Sequence, residues 1–250
     1  MLNIVLPIAG RGSRFADAGY SLPKPLIPVH GIPMIEAVVR NVRPRVPHRF
    51  IFVAQRAHLA HQAMQSTLER AAPGCLVVPV DAVTEGAACT VLLAREVIDS
   101  LDPLMLANSD QWVDTDINEY LNAIEPGSAD GLIMTMTAND PKWSFVGLDS
   151  SRFVTRVAEK EVISNEATVG IYNFRHGRDF VRAADAMIAK NLRVNGEFYV
   201  APVYNELIAE GARIAIHNVG REGAGMYGLG IPDDLNRFLE NPVSQQAVAA

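Results

Sequence analysis

The chain has 250 residues, of which 49% are hydrophobic and 20% are charged, and its 22 basic and 28 acidic residues give a formal net charge of −6. This length and composition favour one large domain with a sizeable buried core. The acidic balance argues against general nucleic-acid binding, which needs a basic face, but it is compatible with a nucleotide held by a few local cations.

The cysteine content and the apolar segments indicate the cellular compartment. Cys75 and Cys89 form no CxxC pair and are too few for a disulfide framework, so we interpret them as buried thiols. No basic leader with a cleavage site precedes the first apolar segment, and no apolar run approaches the length of a membrane span. We therefore expect a cytoplasmic protein without membrane contact.

In the first half of the chain, short apolar runs alternate with segments of helical periodicity. The predicted strands are Leu2–Ile8, Phe50–Ala54, Leu76–Val80 and Leu104–Ala107. One predicted helix begins at Pro33, a second spans His58–Ala71, and a third runs from Gly86 to about Ile98. Residues 13–31, with three prolines, are predicted to form a long loop, which is usually functional. The alternation predicts βαβ units and a mainly parallel sheet.

The second half has a looser pattern. The predicted strands are Leu132–Ala138, Phe153–Ala158, Thr168–Phe174 and Arg213–Val219. The predicted helices are Ile117–Ile124, His176–Lys190, Tyr199–Glu210 and Asp233–Leu239. We see no linker, so residues 1–240 are expected to form a single domain, and the weakly patterned residues 241–250 a flexible tail.

A glycine-rich segment, AGRGSRF at residues 9–15, follows the first strand. Gly10 and Gly12 let backbone N–H groups approach an anion, and Arg11 and Arg14 add donors with fork geometry. An ordinary tight turn is the alternative. The segment lacks the closing GK[ST] of a Walker A loop and the third glycine of the dinucleotide fingerprint, and the latter absence argues against an oxidoreductase.

A second segment, PKPLIPV, covers residues 23–29 and places Lys24 between two prolines that stiffen the backbone. A lysine on a rigid loop is a suitable point charge for a triphosphate, and an exposed, solvated lysine is the alternative. The order GRGSRF, PKPLIPV and PMIEAVV resembles the start of the sugar nucleotidyltransferases (nucleotide-sugar pyrophosphorylases), whose signature is approximately GGxGTRL, PKPLIPV and a proline-led helix. Ser13 replaces the usual threonine and keeps its hydroxyl, and Ala9 stands where the family often has glycine.

The resemblance implies roles for several residues on the nucleotide side. Arg14, Lys24 and Asp110 would be catalytic, and Asp110, in the segment NSDQ after the strand ending at Ala107, would also bind Mg²⁺. The residues implied in nucleotide binding are Ala9, Gly10, Arg11, Gly12, Ser13, Thr84, Glu85, Gly86 and Ala87. Gly86 would let the nucleobase lie close to backbone. The alternatives are that Thr84 is only a helix N-cap and that Asp110 is only a turn residue.

Further segments resemble the family's acceptor side. Glu159, Lys160, Thr168, Gly170 and Glu197 would contact the phosphorylated acceptor, although no proline follows Lys160 and surface charge would explain each charged residue equally well. The aromatic pair in Trp143-Ser144-Phe145 would either shape the acceptor pocket or pack in the core.

The segment YGLGIPDDL at residues 227–235 resembles the family's DxGTPEDL but departs from it at the metal site. Gly228 stands where the second metal-binding aspartate is usual, so water and phosphates would complete the coordination of Mg²⁺. We interpret Asp233 as a carboxylate at a helix N-terminus.

The resemblance implies an α/β fold of the Rossmann-like three-layer type, with a mainly parallel mixed sheet, as in nucleotide-diphospho-sugar transferases. Residues 1–125 would bind the nucleotide and residues 126–240 the acceptor. The implied reaction joins NMP from an NTP, with CTP or UTP favoured, to a sugar phosphate or similar phosphorylated acceptor and releases pyrophosphate, for capsule or envelope polysaccharide synthesis. An oligomer is compatible with the sequence.

Two rival functions remain. A GT-A-type glycosyltransferase often carries a DxD motif, and Asp114-Thr115-Asp116 is one, but its place before Ile117 favours an N-cap. The other rival is a non-catalytic binding or regulatory module that kept the fold.

Overall fold

The structure is a computed structural model, which describes residues 1–123 and 127–249. Its strands are β1 Leu2–Ile8, β2 Pro28–Val29, β3 Ile32–Pro33, β4 His48–Gln55, β5 Leu76–Val80, β6 Leu104–Ala107, β7 Gln111–Val113, β8 Gly131–Thr137, β9 Ser144–Leu148, β10 Val154–Glu159, β11 Glu166–Phe174, β12 Ile214–Glu222 and β13 Gly225–Gly228. Its α-helices are α1 Ser13–Asp17, α2 Met34–Asn41, α3 Arg56–Leu59, α4 Gln62–Ala71, α5 Ala87–Leu92, α6 Arg95–Ile98, α7 Ile117–Leu121, α8 Gly177–Ala189, α9 Val203–Ala209 and α10 Pro232–Glu240.

One large mixed sheet runs through the molecule in the order β5-β4-β1-β6-β11-β8-β12-β13-β7, and β9 joins β10 to β11. Strands β5, β4, β1 and β6 are parallel to one another. β11 enters antiparallel between β6 and β8, and β12 lies parallel to β8. The predicted α/β fold with a mixed, mainly parallel sheet is confirmed.

The side chains of β1 show why the fold has three layers. Ile4 and Leu6 belong to one buried cluster, with Val38 and Val39 of α2. Val5, between them, belongs to a second cluster, which includes residues of α5, α8 and α9. Successive side chains of a strand point to opposite faces, so these two clusters lie on the two sides of the sheet and the helices cover both.

The structure differs from the expected long loop at residues 13–31. This segment contains α1, a 3₁₀ turn at Lys24–Leu26 and β2. Its apolar residues explain the order: Phe15 is buried and meets Tyr20 edge to face, with ring centroids 5.1 Å apart, and Ile27 and Val29 are buried as well. Burial of these side chains stabilises the segment against the core.

Other differences concern short elements and helix ends. β7, β9 and β13 were not predicted from the sequence, and the helix predicted from Tyr199 begins only at Val203. α7 ends at Leu121, and both Ile124 and the expected boundary between residues 125 and 126 fall outside the described residues.

The last described residues also differ from the expected flexible tail. Pro242–Gln245 form a 3₁₀ turn, and Ser244 is fully buried and hydrogen-bonded to His30 Nε2 at 2.6 Å. Ala247 is buried in the core cluster that includes α2. Among the helices that the structure describes, none is long and apolar enough to cross a bilayer.

Candidate functional site

The site lies at the carboxyl ends of β1 and β6, where open parallel sheets place their ligands. β1 and β6 are parallel neighbours, so the segments that follow Ile8 and Ala107 leave the same edge of the sheet. Gln55, at the end of β4, donates from its side-chain amide to the carbonyl oxygen of Ala9 at 2.6 Å and fixes the start of the glycine-rich segment.

A cavity of about 630 Å³ opens at this edge, and we call it the main cavity. Its lining includes, from the sequence predictions, Ala9, Gly10, Arg11, Gly12, Lys24, Thr84, Gly86, Ala87, Asp110 and Glu197. Segments distant in sequence therefore form one wall, as the nucleotide prediction requires. Ser13, Arg14 and Glu85 are exposed and are not among its lining residues.

Lys24 and Asp110 form an ion pair in this wall. Lys24 Nζ lies 2.5 Å from Asp110 Oδ2, and the two side chains are only 20% and 33% exposed. Gly12 packs against the lysine: its φ is +63°, and a Cβ there would lie 3.2 Å from Lys24 Cβ. The glycine-rich segment, the lysine segment and the end of β6 are thus in mutual contact.

Gly86, which lines the main cavity, also lies against the backbone of a distant segment. Its φ is +135°, and a Cβ there would lie 2.4 Å from the carbonyl oxygen of Phe198. The Phe198 N–H donates to the carbonyl of Glu85 at 2.8 Å, and the Ala88 N–H donates to the carbonyl of Phe198 at 3.0 Å. The missing side chain at Gly86 therefore makes room for the backbone around Phe198.

Two neighbours of Gly86 complete this contact. Thr84 is not the N-cap of α5, which is Gly86 itself; the Thr84 hydroxyl donates to the Gly86 carbonyl at 2.9 Å. The Glu85 carboxylate pairs with Arg193 at 2.8 Å, and the Arg193 guanidinium lies 4.0 Å from the centroid of the Phe198 ring. Glu85 thus anchors the segment around residue 198.

A second cavity of about 210 Å³, which we call the side cavity, adjoins the first. It shares Ala87 and Asn108 with the main cavity, and its further lining residues are Gln111, Lys142, Trp143, Ser144, Glu159, Thr168, Val169, Gly170, Tyr172, Tyr199, Val200 and Ala201. Three of the predicted acceptor residues, Glu159, Thr168 and Gly170, lie here.

Several polar side chains of the side cavity form hydrogen bonds with one another. Burial raises the pKa of the Glu159 carboxyl above its ordinary value, and the Ser144 hydroxyl, which donates to that carboxylate, opposes the rise. Thr168 and Tyr172 are joined through their hydroxyls at 2.9 Å.

The other two acceptor predictions are placed differently. Lys160 is exposed and donates to the Tyr199 hydroxyl at 2.8 Å, a hydrogen bond that raises its pKa. It is not among the residues lining the side cavity, and Glu197 lines the main cavity instead. Lys160 directly follows the last residue of β10 and has a φ of +57°.

Gly170 joins the two cavities structurally. Its φ is +83°, and a Cβ there would lie 2.2 Å from Asn108 Nδ2 and 2.7 Å from Gln111 Oε1. The Asn108 N–H donates to the Gly170 carbonyl at 2.9 Å. Gly170 therefore admits two side chains from the segment around Asp110, and Gln111 is a lining residue that the sequence analysis missed although it directly follows Asp110.

Gly228 is the residue at which the sequence departs from the expected metal-binding motif. Gly228 pairs with Gln111 between β13 and β7, and a Cβ on it would lie 3.1 Å from Asp234 Oδ2. Within residues 1–123 and 127–249, no group of three or more histidine, cysteine or acidic side chains could hold a metal. The oxygen donor of Asp110 alone fits Mg²⁺, which is commonly bound by one or two carboxylates together with substrate phosphates.

The DxD segment has a structural role. The Asp116 carboxylate accepts from the Asn118 N–H at 2.8 Å and caps α7, as predicted. It also pairs with Arg45 at 3.1 Å, and it lines neither the main cavity nor the side cavity.

Comparison with known proteins gives a family and a fold. The family model described as Nucleotidyl transferase matches residues 3–192. A nucleoside-diphosphate-sugar pyrophosphorylase from Vibrio cholerae is 25% identical with a TM-score of 0.78, over 96% of this chain and all of that chain. The inositol-1-phosphate CTP transferase from T. maritima is 13% identical with a TM-score of 0.75, over 98% of this chain and 94% of that one, which shows the shared fold.

Among curated proteins, the Bifunctional protein GlmU of Burkholderia multivorans is 29% identical over 223 residues. The match covers 85% of this chain and 46% of that protein, so the chain spans about half the length of the curated relatives it matches. Because the family model covers more than half of the chain, the chain belongs to the nucleotidyl transferase family of enzymes.

Proposed function

We propose that this chain transfers NMP from a nucleoside triphosphate to a sugar phosphate or similar phosphorylated acceptor and releases pyrophosphate. The observation that carries the proposal is the junction of the two cavities. The main cavity contains the Lys24–Asp110 pair and the glycine-rich segment, and it meets the side cavity at Ala87 and Asn108. A triphosphate in the first and an acceptor in the second would bring their phosphates together there.

The chemistry needs few protein groups. An oxygen of the acceptor phosphate attacks the α-phosphorus, the bond to the β-phosphate oxygen breaks, and pyrophosphate leaves with that electron pair. A phosphate monoester is already an anionic nucleophile, so positioning and charge neutralisation suffice. Lys24 neutralises phosphate charge, and Arg11 lies in the same lining. Asp110 would hold Mg²⁺, which when bound supplies further neutralisation of phosphate charge.

Arg14 keeps its proposed role on the triphosphate as the exposed second residue of α1. We propose CTP or UTP as the nucleotide and capsule or envelope polysaccharide synthesis as the use of the product, both from the resemblance of the motifs. A GT-A-type glycosyltransferase is less favoured, because the DxD segment caps α7 and Lys24 would have no role in it.

The deciding experiment measures pyrophosphate release with each of the four NTPs against glucose 1-phosphate, N-acetylglucosamine 1-phosphate and inositol 1-phosphate, with and without Mg²⁺. Release that needs both an NTP and an acceptor supports the proposal. Transfer of sugar from a nucleotide sugar, without pyrophosphate release, would identify the glycosyltransferase instead. Binding of NTPs without turnover would identify a non-catalytic module.

A further inference from the structure

Two residues that line the side cavity each carry a buried hydrogen-bond donor without a partner in the described part of the chain. Gln111 is only 7% exposed, and its amide nitrogen Nε2 is buried without an acceptor among residues 1–123 and 127–249. The indole nitrogen Nε1 of Trp143 is likewise buried without an acceptor in the described chain. Buried donors are normally satisfied, so a pair of them in one cavity points to a bound molecule that supplies the acceptors.

Apart from the exposed Asn108, the other polar side chains of this lining are engaged. The Ser144 hydroxyl donates to Glu159, and the hydroxyls of Thr168 and Tyr172 pair with each other. Lys142 Nζ lies 2.9 Å and 3.0 Å from the two carboxylate oxygens of Glu222. Gln111 and Trp143 thus carry the buried donors that remain for a ligand.

The fold holds Gln111 in position. It lies at the start of β7, paired with Gly228 of β13, and its Oε1 lies against Gly170, where no side chain intervenes. Such a fixed amide can discriminate between ligands, because a mismatched ligand atom would leave the donor buried and unpaired.

The charges indicate which kind of ligand fits. Glu159 retains acceptor capacity for a hydroxyl, since a carboxylate has about four lone-pair sites and Ser144 uses one of them. Lys142, the cation in the lining, already forms an ion pair with Glu222. A carboxylate on the ligand would therefore lie beside the Glu159 carboxylate without a cation to pair with. This pattern suits a neutral, polyhydroxylated ring.

We propose that Gln111 and Trp143 determine acceptor specificity by donating hydrogen bonds to hydroxyl oxygens of a neutral, polyhydroxylated ring, while Glu159 accepts from a ring hydroxyl. This inference rests on the proposed function, and it assigns the recognition of the ring to residues beside the carboxylate that would hold the metal. An acceptor with a carboxylated ring is a poor substrate.

The test compares Gln111→Met, which removes the side-chain amide, and Trp143→Phe, which removes the indole N–H, with the wild-type chain; both changes keep approximate shape. Trp112→Phe is the matched control, because Trp112 neighbours Gln111 in β7 but packs in the core against Tyr227 and Phe238. The reference acceptor is whichever of glucose 1-phosphate, N-acetylglucosamine 1-phosphate and inositol 1-phosphate supports the fastest pyrophosphate release. The other substrates are the monodeoxy analogues of that acceptor and glucuronic acid 1-phosphate.

Each cavity variant is expected to raise the acceptor KM by about three- to tenfold, as for one hydrogen bond, while the NTP KM stays unchanged. In each cavity variant, the ratio of kcat/KM for the hydroxylated acceptor to kcat/KM for one of its monodeoxy analogues is expected to fall towards one. A general loss of stability would not change this ratio. Trp112→Phe is expected to keep both the acceptor KM and the ratio.

The inference is overturned if the wild-type chain is active but both cavity variants keep the wild-type acceptor KM and the wild-type ratios. It is also overturned if glucuronic acid 1-phosphate is used as well as glucose 1-phosphate. Absence of pyrophosphate release by the wild-type chain with every NTP and acceptor would instead contradict the proposed function, and the inference would fall with it.

Discussion

Lys24 Nζ and Asp110 Oδ2 lie 2.5 Å apart although 86 residues separate them in the sequence. The contact joins the segment after β1 to the segment after β6, two parallel neighbours of the sheet. It places a cation and an oxygen ligand side by side where the main cavity would hold a triphosphate.

Replacement of Lys24 by alanine is expected to lower kcat/KM for pyrophosphate release by about 10²–10³, because a cation in a preorganised site stabilises charge that develops in the transition state. Lys190→Ala is the control, since Lys190 forms an ion pair with Glu206 away from both cavities. Circular dichroism of both variants checks the fold. Near-normal turnover of Lys24→Ala would remove the lysine from the mechanism.

Asp110→Asn should raise the Mg²⁺ concentration needed for half-maximal turnover, because a neutral amide is a weaker ligand for a hard cation than a carboxylate. Mg²⁺ binding measured by calorimetry in the presence of a non-hydrolysable NTP gives a readout independent of turnover. Asp116→Asn is the control, since this carboxylate caps α7. Equal metal affinity in wild type and Asp110→Asn would exclude Asp110 as the ligand.

Gly86→Ala is expected to destabilise the fold by about 1–3 kcal/mol through forced overlap with backbone. Gly74→Ala is a control for a positive φ without a contact, because Gly74 has a φ of +74° and a Cβ there would meet nothing within 4 Å. A larger loss of stability in Gly86→Ala, measured by urea unfolding, would report the contact with Phe198 together with the less favourable backbone angles of Gly86, a φ of 135° and a ψ of 172°. Equal losses of stability would show that the contact is unimportant.

Glu159 gives a prediction about pH and stability. Burial raises the pKa of its carboxyl in the folded chain, so the folded state keeps a proton that the unfolded state loses. Below its ordinary pKa of 4.5, the Glu159 carboxyl is protonated in both states and its titration does not change the free energy of unfolding. As the pH rises from 4.5 through the folded-state pKa, the free energy of unfolding falls, because the unfolded state loses the proton more easily.

Glu159→Gln removes this effect, so its unfolding free energy relative to wild type should increase as the pH rises across that interval. Urea unfolding at a series of pH values measures the difference. Glu161→Gln serves as the control, because the exposed Glu161 pairs with Arg156 on the surface. A pH-independent difference for Glu159→Gln would mean that the carboxyl titrates alike in both states.

The sequence predicted those features that depend on local pattern. β1, β5 and β6 have the predicted bounds, because continuous apolar runs mark parallel strands, even in β5, which lies at the end of the sheet and is mostly not buried. β7 and β13 were missed, since strands of three and four residues show too little alternation. Features that depend on distant contacts could not be read, such as the approach of Phe198 to Gly86 and the unpartnered amide of Gln111.

The contact between Gly86 and Phe198 has a consequence for protein engineering. The segment that leads into α9 is hydrogen-bonded to both ends of the turn that opens α5, so part of the side-cavity lining and part of the main-cavity lining are joined through backbone. We expect substitutions in residues 193–201 that change binding in the side cavity to disturb binding in the main cavity as well. β10 is itself joined to α9 through the hydrogen bonds between Val157 and Asn205, so libraries that randomise positions in β9 are the better starting point for changing the product.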